Sequence, residues 1–210
     1  MNRVKLKICG VKSVEEARLL RDAGVDLVGL NFIPVSTRYI SLDTAQAIMT
    51  ELAGSRIQTV ALFADHPLVE VNNYATSLKV DYVQLHGDET ADYAKDVQVE
   101  VIKAISFKSG QTPEDLIEFI NNFPANYFVL DRPQQGHGDV VNAEEAAEIT
   151  ASRPNKIFLA GGLTPDNLTE ILVQTNPYGI DIAGGVRDDK DRLDVDKVRS
   201  CLRIIQTLSS

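Results

Sequence analysis

Asn126-Tyr127-Phe128-Val129-Leu130-Asp131 is a short apolar run that ends abruptly in a carboxylate. Arg132 to Asp139, with Pro133, Gly136 and Gly138, then reads as a polar loop. A buried strand that delivers an acid to its C-terminal end and gives way to a loop is how parallel α/β proteins present reactive groups. Lys5-Leu6-Lys7-Ile8-Cys9, stopped by Gly10, does the same with a thiol. The expectation is that Asp131 and Cys9 face one another across the mouth of a barrel, where an acid and a thiolate could move protons.

The rest of the chain repeats the pattern. Apolar runs rich in Val, Ile and Leu predict strands near 4–9, 26–32, 57–63, 81–86, 99–105, 126–131, 156–160 and 178–183. They are often continuous rather than alternating, as strands covered on both faces are. Amphipathic stretches at 13–23, 42–53, 67–78, 88–96, 112–122, 142–151, 164–174 and 194–207 predict helices between them. Ser13 with Glu16 predicts a capping box, and Gly24 a C-terminal stop. Thr112-Pro113 and Thr164-Pro165 each set a capping hydroxyl before a proline suited to the first helical position. Eight β-then-α units predict an α/β fold, a single-domain (β/α)8 barrel (TIM barrel) over residues 1–210. The rival is an open doubly wound sheet, which periodicity alone does not exclude; the even spacing of the units favours closure.

Composition narrows the function. A net charge of −9 argues against nucleic acid or an anionic membrane as partner. An anionic small molecule would need a local positive field from arginines and helix N-termini. With only Cys9 and Cys201, no disulfide framework is signalled, and a reducing cytoplasmic setting is expected. The first residues carry no long apolar core, and no apolar run reaches the roughly 18 residues a membrane span needs.

In a barrel the chemistry gathers at the C-terminal strand ends. Gly161-Gly162 and Gly184-Gly185 follow strands seven and eight, where backbone N–H groups and helix dipoles can hold a phosphate; each pair alone also reads as a tight turn. Cys9, as a thiolate, could act as base, or it could be a small buried hydrophobe. Cys201 shares an apolar helix face with Val198, Leu202 and Ile205 and reads as core. A partly desolvated Asp131 would retain its proton for general-acid work, although Asp-Arg-Pro is also good turn chemistry. Arg38 could clamp a carboxylate by two parallel hydrogen bonds. Gln84 and His86 share one face of their strand and could bind a polar ligand or satisfy one another in the core. Lys7 shares a face with Cys9, so an inward Cys9 buries Lys7, which then needs a carboxylate such as Asp181. His66, His86 and His137 lie on different units without ligand spacing, so no metal site is expected.

These motifs together resemble the phosphoribosylanthranilate isomerase family of tryptophan biosynthesis, over nearly the whole chain. Lys7-Ile8-Cys9-Gly10 is similar to its strand-one signature, and Arg38-Tyr39-Ile40-Ser41 to its second loop. Val83-Gln84-Leu85-His86-Gly87 and Leu130-Asp131 resemble its strand-four motif and its strand-six acid, and Gly161-Gly162-Leu163-Thr164-Pro165-Asp166-Asn167 its phosphate loop. The resemblance implies an Amadori rearrangement of N-(5′-phosphoribosyl)anthranilate, without cofactor or metal. Asp131 would open the ribose ring by protonating its oxygen, and Cys9 would take the C2′ proton. Arg38 would hold the anthranilate carboxylate and the paired glycines the phosphate. The chain departs from the family at Gln135-Gly136-His137-Gly138-Asp139, where a Gly-Gly-Thr-Gly-like segment is usual, and at Ala183-Gly184-Gly185, where serines are usual. The alternatives are a related phosphoribosyl-amine isomerase of the same fold and a non-catalytic phosphometabolite-binding barrel. The expected partner is a small phosphorylated substrate, with the chain a monomer or homodimer.

Overall fold

The computed structural model describes residues 3–106, 110–131, 143–154 and 156–208. Strands and helices alternate as β1 (Lys5–Cys9), α1 (Val14–Ala23), β2 (Leu27–Asn31), α2 (Leu42–Leu52), β3 (Gln58–Phe63), α3 (Leu68–Leu78), β4 (Tyr82–Leu85) and α4 (Ala91–Lys95). They continue as β5 (Glu100–Ile105), α5 (Pro113–Asn122), β6 (Tyr127–Asp131), α6 (Ala143–Ser152), β7 (Ile157–Ala160), α7 (Pro165–Thr175), β8 (Gly179–Ile182) and α8 (Val195–Leu208). The strands form a closed barrel in chain order, β1 through β8. The pairs are parallel, with registers such as Cys9 opposite Gly29, Gln84 opposite Leu62, and Asp131 opposite Ala160. Asn126 N donates to Val101 O at 2.8 Å, and Lys5 N to Tyr178 O at 3.0 Å. The closed barrel expected from eight even units is therefore the fold, and the open sheet is not.

The chain forms two compact units: Lys7–Lys103 with Pro124–Asn126, and Met1–Leu6 with Ala104–Phe123 and Tyr127–Ser210. In the first, β2 is buried at every position, as its continuous apolar run requires. Phe32 stacks on Phe63 at 5.3 Å, and Tyr74 of α3 meets both rings edge-on. In the second, Tyr127 stacks on Tyr178 at 5.2 Å, with the Phe158 ring edge-on to Tyr178. Each fully buried Leu, Ile or Phe contributes about 1.5–3 kcal/mol relative to exposure. Cys201 is fully buried beside Val198 and Ile205 on α8, and burial pushes its thiol up to about 11. It is core.

Local signals fix the helix ends. Ser13 Oγ accepts from Glu16 N, while the Glu16 carboxylate accepts from Lys12 N. Gly24 takes the left-handed conformation and ends α1 by donating to Leu20 O and Arg21 O. Thr112 and Asp115 complete a reciprocal capping box at α5, worth about 1 kcal/mol.

Two elements differ from expectation. The fourth helix was expected over 88–96 but spans Ala91–Lys95, with Thr90 accepting from Tyr93 N as its cap. The reason is tertiary: Glu89 is drawn into the preceding loop by a buried lysine, Lys103, on β5. After β8, where a helix N-terminus following the Gly184-Gly185 pair is the expectation, a short 3-10 turn, Gly184–Val186, contains both glycines.

Candidate active site

Cys9 ends β1 and is half-buried. Its register partner on β2 is Gly29, and a Cβ built at Gly29 would stand 3.1 Å from Cys9 Sγ and 3.0 Å from Leu62 Cδ1. Glycine at that position leaves the thiol its space. Gly10 N and Val11 N both donate to Gly29 O, at 2.9 and 3.0 Å, so the chain after Cys9 is tied to the same residue.

Gly10 has φ +75°, a conformation that glycine adopts without steric cost. Over it lies Arg38, whose Cδ would be 2.4 Å from a Cβ added at Gly10. Arg38 is carried on the loop after β2, which Asn31 and Ser36 organise. Asn31 Oδ1 accepts from Ile33 N at 2.8 Å, an Asx-type turn, and Asn31 Nδ2 donates to Ser36 Oγ at 3.1 Å. Ser36 Oγ in turn accepts from Arg38 N. Asn31, Ser36 and Gly29 were not anticipated. An asparagine at a strand end two residues before the loop turns was the available signal for the first.

Gln84 lies in β4, and His86 directly follows its last residue, Leu85. Gln84 is fully buried, and its Nε2 lies 3.1 Å from His86 Nδ1. With the amide donating, Nδ1 accepts and the imidazole carries its proton on Nε2. Gln84 Oε1 is buried and meets no partner among the described residues. His86 is exposed. The pair therefore satisfies itself in part and also presents an imidazole at the strand end.

Lys7 is completely buried, so its ammonium is not in bulk solvent, as its alternation with Cys9 required. Asp181 on β8, suggested as its counter-charge, is buried as well at 7% exposure.

Asp131 is the last residue of β6 and is half-buried. The expected loop from Arg132 to Asp139, including Pro133, Gly136, His137 and Gly138, lies outside the described residues.

The two glycine pairs are built into one another's loops. Gly161 and Gly162 take φ +83° and +65°. A Cβ at Gly185 would sit 1.8 Å from Leu163 O, so the backbones after β7 and β8 approach as closely as glycine permits. Asn167 fixes the first loop: its Oδ1 accepts from Thr164 N at 2.9 Å and its Nδ2 donates to Gly162 O at 2.8 Å. Asp188 fixes the second by accepting from Lys190 N, Arg192 N and the Arg192 guanidinium. Those bonds, that from Arg192 N first, hold its carboxyl at about 2. Cys9 and Arg38 belong to the first compact unit, and Asp131 and the two glycine pairs to the second. A thiol, a carboxyl, a guanidinium and backbone-lined glycine loops are a set suited to proton transfer on an anionic sugar.

The family model for N-(5′-phosphoribosyl)anthranilate (PRA) isomerase matches residues 6–203. The N-(5′-phosphoribosyl)anthranilate isomerase of Pelobacter propionicus is 35% identical over 211 residues, covering 99% of this chain and 98% of its own. That of Geobacter sulfurreducens is 36% identical over 204 residues, covering 95% and 97%. Among solved structures, the Thermus thermophilus phosphoribosyl anthranilate isomerase is 30% identical with a TM-score of 0.83, covering 98% of this chain and 100% of its own. A phosphoribosyl anthranilate isomerase in complex with reduced 1-(o-carboxyphenylamino)-1-deoxyribulose 5-phosphate is 25% identical with a TM-score of 0.84, covering 97% and 99%. Motif order, barrel and relatives agree, and the chain belongs to the N-(5′-phosphoribosyl)anthranilate isomerase family.

Proposed function

We propose that this chain carries out its family's reaction, the Amadori rearrangement of N-(5′-phosphoribosyl)anthranilate in tryptophan biosynthesis, with Cys9 as base and Asp131 as acid. The Asp131 carboxyl gives its proton to the ribose ring oxygen. The C1′–O bond breaks, and the nitrogen lone pair forms the C1′=N bond of a Schiff base. The Cys9 thiolate then removes the C2′ proton. The electrons of that C–H bond form C1′=C2′, and those of C1′=N return to nitrogen. The resulting enolamine tautomerises to the 1-amino-1-deoxyribulose product. Nothing is oxidised or reduced overall, so residues that give and take protons suffice.

The remaining groups orient the substrate. Arg38 holds the anthranilate carboxylate, which a guanidinium can grip by two parallel bonds. Gly161, Gly162, Gly184 and Gly185 offer backbone donors to the 5′-phosphate. Gln84, His86 and Asp181 face the ribose hydroxyls. Residues 1–210 act as one catalytic domain, in the cytoplasm, as a monomer or homodimer. Among the described residues no helix is long and apolar enough to cross a membrane.

The observation that carries this reading is Arg38 lying over Gly10, next to Cys9. A carboxylate gripped there brings the attached ribose toward the thiol. Rescue of a tryptophan auxotroph lacking this isomerase tests it: the chain should restore growth, and its Cys9→Ala and Asp131→Ala variants should not. Growth with either variant at the level of the parent would remove that residue from the mechanism.

A further inference from the structure

Lys103 and Glu89 are buried and ionisable, and the rearrangement uses neither. Lys103 on β5 lies in register with Leu85 on β4. Its ammonium donates to Leu85 O at 3.3 Å, to Gly87 O, and to Glu89 Oε2 at 2.9 Å. Both side chains of the ion pair are almost inaccessible, at 5% and 1%. An ammonium has three donors, and these three acceptors use them. Lys103 is therefore occupied with its own protein, although it sits near the C-terminal end of a barrel strand where a lysine would otherwise read as a substrate ligand.

The carboxylate works on the same short segment. Glu89 accepts from Gly87 N through both oxygens, at 3.1 and 3.2 Å, and from Asp65 N at 3.0 Å. Asp65 is left-handed at φ +54°, and its Oδ1 accepts from Asp88 N at 2.8 Å. A Cβ on Gly87 would fall 2.4 Å from that oxygen, so a side chain there would push the Asp65 carboxylate aside. His86 N donates to Phe63 O at 2.8 Å. The carbonyls on either side of His86, those of Leu85 and Gly87, are thus held by one ammonium, and the amide after it by that ammonium's counter-ion.

We propose that Lys103 and Glu89 are positioning residues for the isomerase reaction, their ion pair fixing the backbone on both sides of His86 so that its imidazole is presented to substrate. The inference rests on the reading of His86 as a substrate-facing group. Two other features agree with a built device. Residues 88–90 lie in the loop ahead of α4 rather than in the helix, and the pair links β5, the loop after β4 and, through Asp65, the loop after β3. A side chain displaced by about 1 Å can cost about 100-fold in rate, so a change at this distance from the chemistry should be visible in turnover.

The test compares Glu89→Gln, Lys103→Met/Glu89→Gln and His86→Ala with the parent, assayed well below each melting temperature. Glu89→Gln strands a buried ammonium and should lower both Tm and kcat. The double variant removes the stranded charge, so Tm should recover toward the parent while kcat stays about 10- to 100-fold low and KM moves less. The His86 ring resonances in a 15N spectrum should shift in both variants. A folded double variant with parental kcat and parental His86 resonances would overturn the proposal, leaving the pair a matter of stability alone. If His86→Ala turns over at the parental rate, the reading of His86 has failed instead, and the proposal of a positioning role in catalysis falls with it. Shifted His86 resonances in the double variant would then show that only the backbone device is real.

Discussion

Arg38 rests on Gly10: the space a side chain at position 10 would need is taken by Arg38 Cδ, 2.4 Å from the nearest possible Cβ. One glycine thus does two things at the end of β1. It turns the chain at φ +75° immediately after the thiol, and it leaves the space across which the Arg38 stem lies. Gly10→Ala should displace Arg38 and strain the backbone by about 1–2 kcal/mol. The expected result is a KM for N-(5′-phosphoribosyl)anthranilate raised about tenfold or more, with kcat less affected. Steady-state kinetics at fixed enzyme would show it, and an unchanged KM would mean that Arg38 does not hold the carboxylate.

Gly185 is constrained more severely, because the atom it would meet is a backbone carbonyl rather than the end of a flexible side chain. The 1.8 Å separation from Leu163 O forces the loops after β7 and β8 apart in Gly185→Ala. Overpacking of this kind costs about 1–3 kcal/mol, so Tm should fall by several degrees. The same movement spreads the glycine donors, and inhibition by inorganic phosphate should weaken with it. Tm loss without any change in phosphate inhibition would detach these glycines from the phosphate site.

Asp188 gives a pH dependence whose sign can be fixed. Its carboxyl is held at about 2 against an ordinary value of 3.8, first by Arg192 N and then by the Arg192 guanidinium. A depressed pKa means that the folded form prefers the carboxylate, so the stabilisation is complete above about 4 and is lost as pH falls through about 2. The Tm difference between parent and Asp188→Asn should be constant from pH 7 to 5 and should shrink between about pH 4 and 2. A difference that stays constant down to pH 2 would show that the charge of Asp188 does not organise this loop.

Much of the architecture was legible because the strands are covered on both faces. Continuous runs such as Leu27-Val28 and Ile157-Phe158-Leu159 announce themselves without any knowledge of their neighbours. Lys7 was legible too, since its burial follows from alternation with Cys9. The errors came where distant residues decide a local outcome. Nothing near Glu89 in the sequence says that Lys103 will claim its carboxylate, so residues 88–90 read as helix when they are loop. Gly29 acquires its meaning only from the register that places it opposite Cys9. Gly10 could be seen to stop β1, but not that Arg38 would lie over it. Resemblance to a family supplied the chemistry of the ends, which periodicity alone does not.

The most direct measurement is the decay of anthranilate-type fluorescence when enzyme is added to freshly made N-(5′-phosphoribosyl)anthranilate, with the parent, Cys9→Ala and Asp131→Ala compared in one series. Each proton-transfer group should supply about 10²–10⁴-fold, so both variants should quench the signal at least about 100-fold more slowly than the parent while keeping its circular dichroism. A Cys9→Ala protein that rearranges the substrate at the parental rate would contradict the account, because no thiolate would then be taking the C2′ proton.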